Sequence, residues 1–508
     1  QAQHVLGANV FAQKVSIELI KALPGAHMIV TDATQEEVDA FSEAHCNGIP
    51  LKRVSYETLP HVLRSGDLPD VGFVTGLNMA MMLNVRNALK CHFPIVGLVH
   101  FLGSKLTLET LSDVYKNTTE VDAILCPSES IKATIEKAES AFLYTSNKPS
   151  LFLAAHGIDS RIFKPRTATV SELRQKHSIP AGKTVISFIS RINPYTKMDV
   201  TPFLFQMKQA FQRHPNLHVL VVGEVQNEGY FRQLEFFVNT NNLQDKVQFI
   251  TQVAHDMIHE YYQLTDIYVS LTDNISESFG LTVVEAMACG LPVIISDCAG
   301  YQSLNIQDGE DGFVVPTISA EMDLDLLLNT GSTAGFGDVS IQSVACDYAV
   351  LHDAIDTLVN SPDLRVQCGQ KARKKVETSF SISKMVETYI DVFNAVLEKQ
   401  EETPMKFPEL PIRDVSGLFD HGVTRLLSRE DVLEITPYGK DIIQNKEQFL
   451  AFEKHLQHYN LISEVLTRLF QKPHSVESLY DSISAEIRDI NANCVYLLKH
   501  DVLRLKRL

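Results

Sequence analysis

The sequence predicts an α/β protein in which two Rossmann-like, doubly wound domains follow one another and a mostly helical appendage closes the chain. Three observations predict it. Short β-branched runs alternate with helix-length segments through most of the 508 residues, the pattern of βαβ units feeding a parallel sheet. The runs are nearly all apolar, as in "PIVGLVH" at 94–100, which suits strands buried on both faces. The alternation is interrupted at "HGIDSRIFKPRT", through Gly157 and Pro165, and gives way after Glu398 to a charged, Pro-rich stretch.

In the first domain (1–165) strands are expected near His27–Asp32, Val71–Thr75, Pro94–His100, Ala123–Pro127 and Phe152–His156. A second series (166–375) is expected near Thr184–Ser190, Leu217–Gly223, Val247–Thr251, Asp266–Thr272, Pro292–Ser296 and Gly312–Val315. Two doubly wound domains in tandem predict a ligand crevice at the carboxyl ends of their strands. The remainder, 399–508, reads as linker and appendage, with helix patterns at Lys446–Phe470, Val476–Ile487 and Asn493–Leu508. Its order, "LTRLFQKPHSVESLYDSI" then "VYLLKHDVLRLKRL", resembles a small winged-helix module and offers a surface for homo-oligomerisation. The chain opens on Gln1 and runs at once into a loop and helix, which reads as a trimmed start or an irregular first strand.

Composition narrows the function. A formal net charge of -17 argues against nucleic acid as an obligatory partner, because a polyanion would be repelled. The longest apolar runs, such as Leu291–Ile295 and Val219–Val222, fall far below the roughly 20 residues that span a bilayer. No basic, apolar leader opens the sequence, and the expected location is cytoplasmic. The eight cysteines (Cys46, Cys91, Cys126, Cys289, Cys298, Cys346, Cys368, Cys494) include no C-x-x-C pair, which predicts reduced thiols and neither a disulfide frame nor a zinc site. P-loop, G-x-S-x-G and H-E-x-x-H motifs are absent. His92 and His100 lack metal-ligand company. The "DLD" at Asp323–Asp325 sits in an apolar, helix-like run and reads as a surface face. No cofactor or metal is expected.

The sharpest chemical signal is "NISESFGLTVVEAMACGLPVIISD" at 274–297. Glu277 and Glu285 flank Phe279, Gly280 and Leu281, with a helix expected to start at Leu281. Gly280 permits close approach of backbone to a ligand. The helix start offers unpaired N–H groups to a diphosphate, and the two carboxylates can accept from hydroxyls at opposite ends of one bound molecule. A lone pair of glutamates eight apart would be ordinary surface charge; embedded between two strands in this string, it is not. The segment resembles the E-x7-E motif of the family-4 retaining glycosyltransferases, whose fold is GT-B. The resemblance implies that Glu277 holds a sugar hydroxyl and Glu285 the ribose of a nucleoside-diphosphate sugar.

A second signal is "VISFISRINPYTKMDV", where Arg191 and Lys197 follow a strand end. Their types suit a diphosphate, Arg by a planar fork and Lys as a point charge, and the R-x5-K spacing resembles the same family's phosphate-binding pair. A third is His100, closing its strand, which by the resemblance lines the donor-sugar pocket. Gly223, in "HVLVVGE", resembles the turn near the nucleobase, and "SFSISKMVETYIDVFNAVLE" the helix (376–398) that returns to the first domain. "AAHGIDSRIFKP" resembles the interdomain loop, with His156 where asparagine is usual. The departure is at the amino end: in place of a Gly-Gly phosphate loop, "VLGANVFAQKV" offers Gly7 alone, far ahead of the helix pattern at Leu19–Leu23.

The resemblance implies metal-independent, front-face transfer of a hexose from a UDP- or GDP-sugar to an acceptor that the sequence does not identify. Arg191, Lys197, Glu277 and His100 would be the catalytic residues. Two rival readings stand beside it: an epimerase or phosphorylase of the same fold, and a non-catalytic scaffold that acts through its appendage.

Overall fold

The computed structural model describes residues 7–103, 105–141, 148–166, 170–195, 197–254, 257–321, 343–399, 425–444, 461–485 and 487–506. The chain forms two compact units, Gln1–Gly157 with Thr378–Pro411, and Ile158–Glu377 with Ile412–Leu508.

The first unit opens with a helix at Gly7–Ala22. Gly7 therefore starts the helix, whereas the sequence reading left it in a loop well before Leu19. Phe11, Val15 and Leu19 recur every four residues and are all buried, which extends the apolar stripe a full two turns toward the amino end. The strands of this unit are β1 (His27–Val30), β2 (Leu51–Val54), β3 (Gly72–Val74), β4 (Ile95–Leu98), β5 (Ala123–Cys126) and β6 (Ser150–Leu153). The last four make a parallel sheet in chain order, and β1 pairs with β2 in a separate parallel ribbon. All residues of β4 and β5 are buried, as their composition predicts. Strand β2 was not foreseen: in "LKRV" only Leu51 and Val54 are buried, and two cations mask the apolar pair. Strand β6 begins two residues earlier than expected.

The helix Ile382–Leu397 packs in this unit, with Phe73 against Tyr389 and Phe393 at ring-centroid distances of 6.0 and 5.6 Å. Gly157 lies at its start, where a Cβ would fall 2.7 Å from the Ser381 carbonyl oxygen. Close approach of two backbone segments, rather than a flexible break, accounts for that glycine.

The second unit contains a six-stranded parallel sheet of β7 (Thr184–Ile189), β8 (Leu217–Val222), β9 (Val247–Ile250), β10 (Ile267–Ser270), β11 (Val293–Ser296) and β12 (Gly312–Val315). The spatial order is β12-β11-β10-β7-β8-β9, the dinucleotide-fold order, and the winding reverses between β7 and β10. Helices Val200–Arg213 and Tyr348–Asn360 bury Phe203, Leu204, Met207, Leu351 and Ile355 in one core with Ile186, Val219 and Ile267.

Three further strands, β13 (Thr317–Ser319), β14 (Val344–Cys346) and β15 (Arg425–Leu426), form a small sheet in the order β14-β13-β15. The tail adds β16 (Val432–Ile435), β17 (His474–Ser475) and β18 (Leu503–Leu505), an antiparallel sheet in the order β17-β16-β18. The appendage is thus not helical alone. Nor is it detached from the neighbouring domain, because Ile318, Ala320 and Ala345 share a core with its Leu433, Leu466, Leu479 and Val495. Part of the helix pattern at Lys446–Phe470, and the whole of Asp323–Asp325, lie outside the described residues. No described helix is long and apolar enough to cross a membrane.

Candidate functional site

The site residues of the second unit gather at the carboxyl ends of β7 and β10, the two strands that flank the winding reversal. Beyond β7 the chain runs parallel to the start of the turn after β8: Ser190 N–H donates to Val222 O at 2.9 Å and Ile192 N–H to Glu224 O at 2.8 Å. Gly223 makes this approach feasible. Its φ is +153°, and a Cβ there would stand 1.8 Å from the Ser190 carbonyl oxygen. The half-buried Arg191 follows, with no ion-pair or hydrogen-bond partner for its guanidinium among the described residues.

The same loop returns Lys197 toward β10. Asp199 then caps the helix Val200–Arg213, its Oδ1 accepting from Thr201 N–H at 2.9 Å and from the Tyr230 hydroxyl at 2.8 Å. From β10 the chain descends through Thr272, whose hydroxyl donates to Lys197 O at 2.7 Å, into a compact turn. Asn274 Oδ1 accepts from Ser276 N–H and Oγ–H at 3.0 and 2.6 Å, and Glu277 N–H donates to Asn274 O at 2.9 Å. This turn presents Glu277, 5% exposed, to Lys197, and the two side chains form an ion pair. Two of the residues singled out in the sequence, 80 positions apart, therefore meet at the reversal point.

Gly280 comes next, with φ +106°. It caps the helix Leu281–Ala288, which begins where the sequence reading put it. A Cβ at Gly280 would fall 2.6 Å from the Tyr301 ring, so this position needs glycine both for its backbone angle and for space. Phe279 is buried. The first N–H groups of an α-helix have no partners inside it, and here they begin at Leu281. One turn in, Glu285 is held by the fully buried Tyr262, whose hydroxyl donates to Glu285 Oε2 at 2.7 Å. An open depression of about 610 Å³ adjoins Tyr301, lined by Asp297, Gln302, Asp308 and Glu310. It lies beside the ends of β11 and β12, and no residue of the cationic loop lines it.

His100 belongs to the first unit. Burial lowers its pKa, a hydrogen bond with the Thr75 backbone opposes the shift, and its buried Nε2 has no hydrogen-bond partner among the described residues. Its ring stands 6.0 Å from Phe11 and 6.1 Å from His156. Sequence reasoning missed Asp199, Tyr262, Asp273 and Tyr301, which hold the site residues in place. Nothing in a string of single residues marks them, because each acts through a contact distant in the chain.

The fold is shared with solved structures. A glycosyltransferase from Rickettsia africae aligns with a TM-score of 0.58 and 14% identity, over 78% of this chain and 97% of that one. Anabaena Alr3699/HepE, solved in complex with UDP, aligns with a TM-score of 0.56 and 16% identity, over 76% and 96%. The likeness shows a GT-B fold. Among curated proteins, the D-inositol 3-phosphate glycosyltransferase of Thermomonospora curvata is 27% identical over 348 residues, 61% of this chain and 78% of that protein. Its namesake from Mycobacteroides abscessus is 28% identical over 195 residues, 37% and 41%. That from Rhodococcus erythropolis is 28% identical over 233 residues, 43% and 51%. The matched stretch thus spans about half or less of two of these relatives. Residues 169–328 match the family model described as glycosyl transferases group 1, so around Arg191, Lys197, Glu277 and Glu285 this chain carries a domain similar to that family's.

Proposed function

We propose that the protein is a retaining glycosyltransferase that moves a hexose from a nucleoside-diphosphate sugar, with uridine or guanosine as the base, to an acceptor hydroxyl without a metal ion. The observation that carries this reading is the Lys197–Glu277 ion pair at the reversal of the sheet. It is supported by the Arg191 guanidinium in the same loop, which has no hydrogen-bond or ion-pair partner among the described residues, and by the curated relatives that share the name glycosyltransferase.

In this reading the diphosphate lies against Arg191, Lys197 and the N–H groups that begin at Leu281, after the turn at Phe279 and Gly280. As the bond from the anomeric carbon to the phosphate oxygen breaks, charge builds on the leaving diphosphate. The two cations then stabilise the transition state more than the bound donor. The incoming hydroxyl attacks from the same face and gives its proton to the departing phosphate oxygen. Before the donor arrives, Glu277 holds the Lys197 ammonium. The diphosphate draws that ammonium away and leaves Glu277 to accept from a sugar hydroxyl. Glu285 takes the ribose and Gly223 faces the base. His100 is a neutral contact for the sugar, and Gly7, opening its helix, a contact for phosphate.

The test needs no acceptor. Purified protein is incubated with UDP- and GDP-hexoses, and slow hydrolysis is followed by NMR. Release of nucleoside diphosphate with a hexose that first appears in the donor's own anomeric configuration is the expected result. An isomerised donor, a sugar phosphate formed only with added phosphate, or no binding of any nucleoside diphosphate by calorimetry would overturn it.

A further inference from the structure

Within the second unit, the appendage meets the loops beyond β7 and β10 through a buried lysine. Lys499, the last residue of the helix Ile487–Lys499, is 1% exposed. Its Nζ stands 2.7 Å from Asp273 Oδ2 and 3.8 Å from Asp199 Oδ2. The neighbouring His500 brings Nε2 to 3.7 Å from the same Asp199 oxygen. The backbone here is fixed as well, since the Lys499 carbonyl accepts from the buried Tyr348 hydroxyl.

Both carboxylates belong to the loops that carry the proposed donor contacts. Asp273 lies four residues before Glu277, and Asp199 two residues after Lys197. They are joined directly, because Asp199 N–H donates to Asp273 Oδ2 at 3.2 Å. A parallel link runs from the Thr272 hydroxyl to Lys197 O. Burial would raise the Asp199 carboxyl, but Lys499 and then His500 hold it well below the ordinary carboxylate range. Asp273 is pushed up to about 6 by its own burial, against the pull of Lys499.

As a weld alone this arrangement makes poor sense. Removing an ammonium and two carboxylates from water is costly, and well-packed apolar residues of similar volume hold elements together as well or better. What an ion cluster adds is direction: it fixes where each carboxylate, and the loop behind it, must stand.

We infer that the appendage is a working part of the donor site, with Lys499 the positioning residue that sets the loops bearing Lys197 and Glu277 against each other. The inference rests on the proposed donor site. It assigns the tail a role in turnover, and it makes the appendage necessary to donor contacts that residues 191–285 supply.

The test compares the full chain with Lys499→Met and with Lys499→Met/Asp273→Asn, whose second change removes one of the carboxylates left without the ammonium. Three quantities are measured: melting temperature, donor kcat and KM in the hydrolysis assay, and hydrogen–deuterium exchange of peptides covering 195–201 and 271–280. The single variant is expected to melt lower. The double variant is expected to recover most of that loss, to stay at least about 10-fold below wild type in kcat, the scale of slight misplacement of reacting groups, and to exchange faster in both peptides. A double variant with wild-type kcat, or with unchanged exchange in those peptides, would overturn the inference. If wild-type protein turns over no donor and binds no nucleotide, the functional reading fails by itself, and the exchange data still decide whether Lys499 positions the two loops.

Discussion

The Tyr262 hydroxyl donates to Glu285 at 2.7 Å from a fully buried ring, so the carboxylate assigned to the ribose is aimed from beneath by a side chain that touches no ligand. Burial first and the Glu285 charge second raise the phenol well above its usual pKa, and it stays a donor at any working pH. Tyr262→Phe is expected to weaken nucleoside diphosphate binding about 5- to 10-fold, the worth of about one such hydrogen bond. Calorimetry checks this, and with a nucleotide that lacks both ribose hydroxyls the variant and the wild type should bind alike.

Lys197→Ala, Glu277→Gln and Arg191→Ala are each expected to lower turnover about 10²-fold, the scale for one preorganised electrostatic group. Their other effects should differ. Lys197→Ala leaves the buried Glu277 without its cation and should lower the melting temperature. Arg191→Ala breaks no side-chain hydrogen bond or ion pair among the described residues and should change it little. Steady-state rates beside thermal melts separate the three.

Gly223→Ala would set a methyl group 1.8 Å from the Ser190 carbonyl oxygen at a φ of +153°. We expect a loss of about 2–4 kcal/mol from overpacking and backbone strain together, measured by denaturant unfolding. Gly280→Ala drives a methyl group against the Tyr301 ring and should abolish nucleotide binding at a smaller cost in stability.

His352 gives a pH signature. Burial and then Arg213 lower its pKa from 6.5 to about 4. The neutral ring sits 2.8 Å from Arg213 Nη2 through Nδ1 and 3.0 Å from Gln206 Oε1 through Nε2, so Nδ1 accepts and Nε2–H donates. The unfolded chain binds the proton more readily. The stabilisation is therefore complete above pH 6.5 and is lost as pH falls from about 6.5 to about 4. Melting temperature against pH should fall less steeply over that window in His352→Gln than in wild type.

In the first unit, Arg86 and Asp122 form a buried ion pair, and Asp122 Oδ2 also accepts from Arg86 Nη2 at 2.9 Å and from Thr119 N–H at 2.7 Å. Asp122→Ala strands a buried guanidinium and should cost about 3–5 kcal/mol. Chemical denaturation of the variant measures it.

What could be read from the sequence was whatever periodicity or local strings encode. The strands from β7 to β12 announced themselves as short, largely apolar runs, of which β8, β10 and β11 are buried at every residue. The turn at Gly280 could be read because a glycine, a helix start and two glutamates lie close together in the chain. Strand β2 could not, since Lys52 and Arg53 interrupt its apolar signal. The helix start at Gly7 was missed because its stripe of Phe11, Val15 and Leu19 puts only one large apolar residue in each of its first turns. Lys499 was beyond reach altogether: a lysine at the end of an amphipathic helix is ordinarily solvated, and only the fold brings Asp199 and Asp273 to it.

That buried cluster also orders events in time. Asp199 and Asp273 leave the ribosome long before the helix that ends at Lys499. Until the helix is made, the two carboxylates lack the ammonium that lies against both. A chain cut short before that lysine would keep Arg191, Lys197, Glu277 and Glu285 and still lack the charge that lies against Asp199 and Asp273. On the inference drawn above, the two loops take their final positions only after that helix has been made.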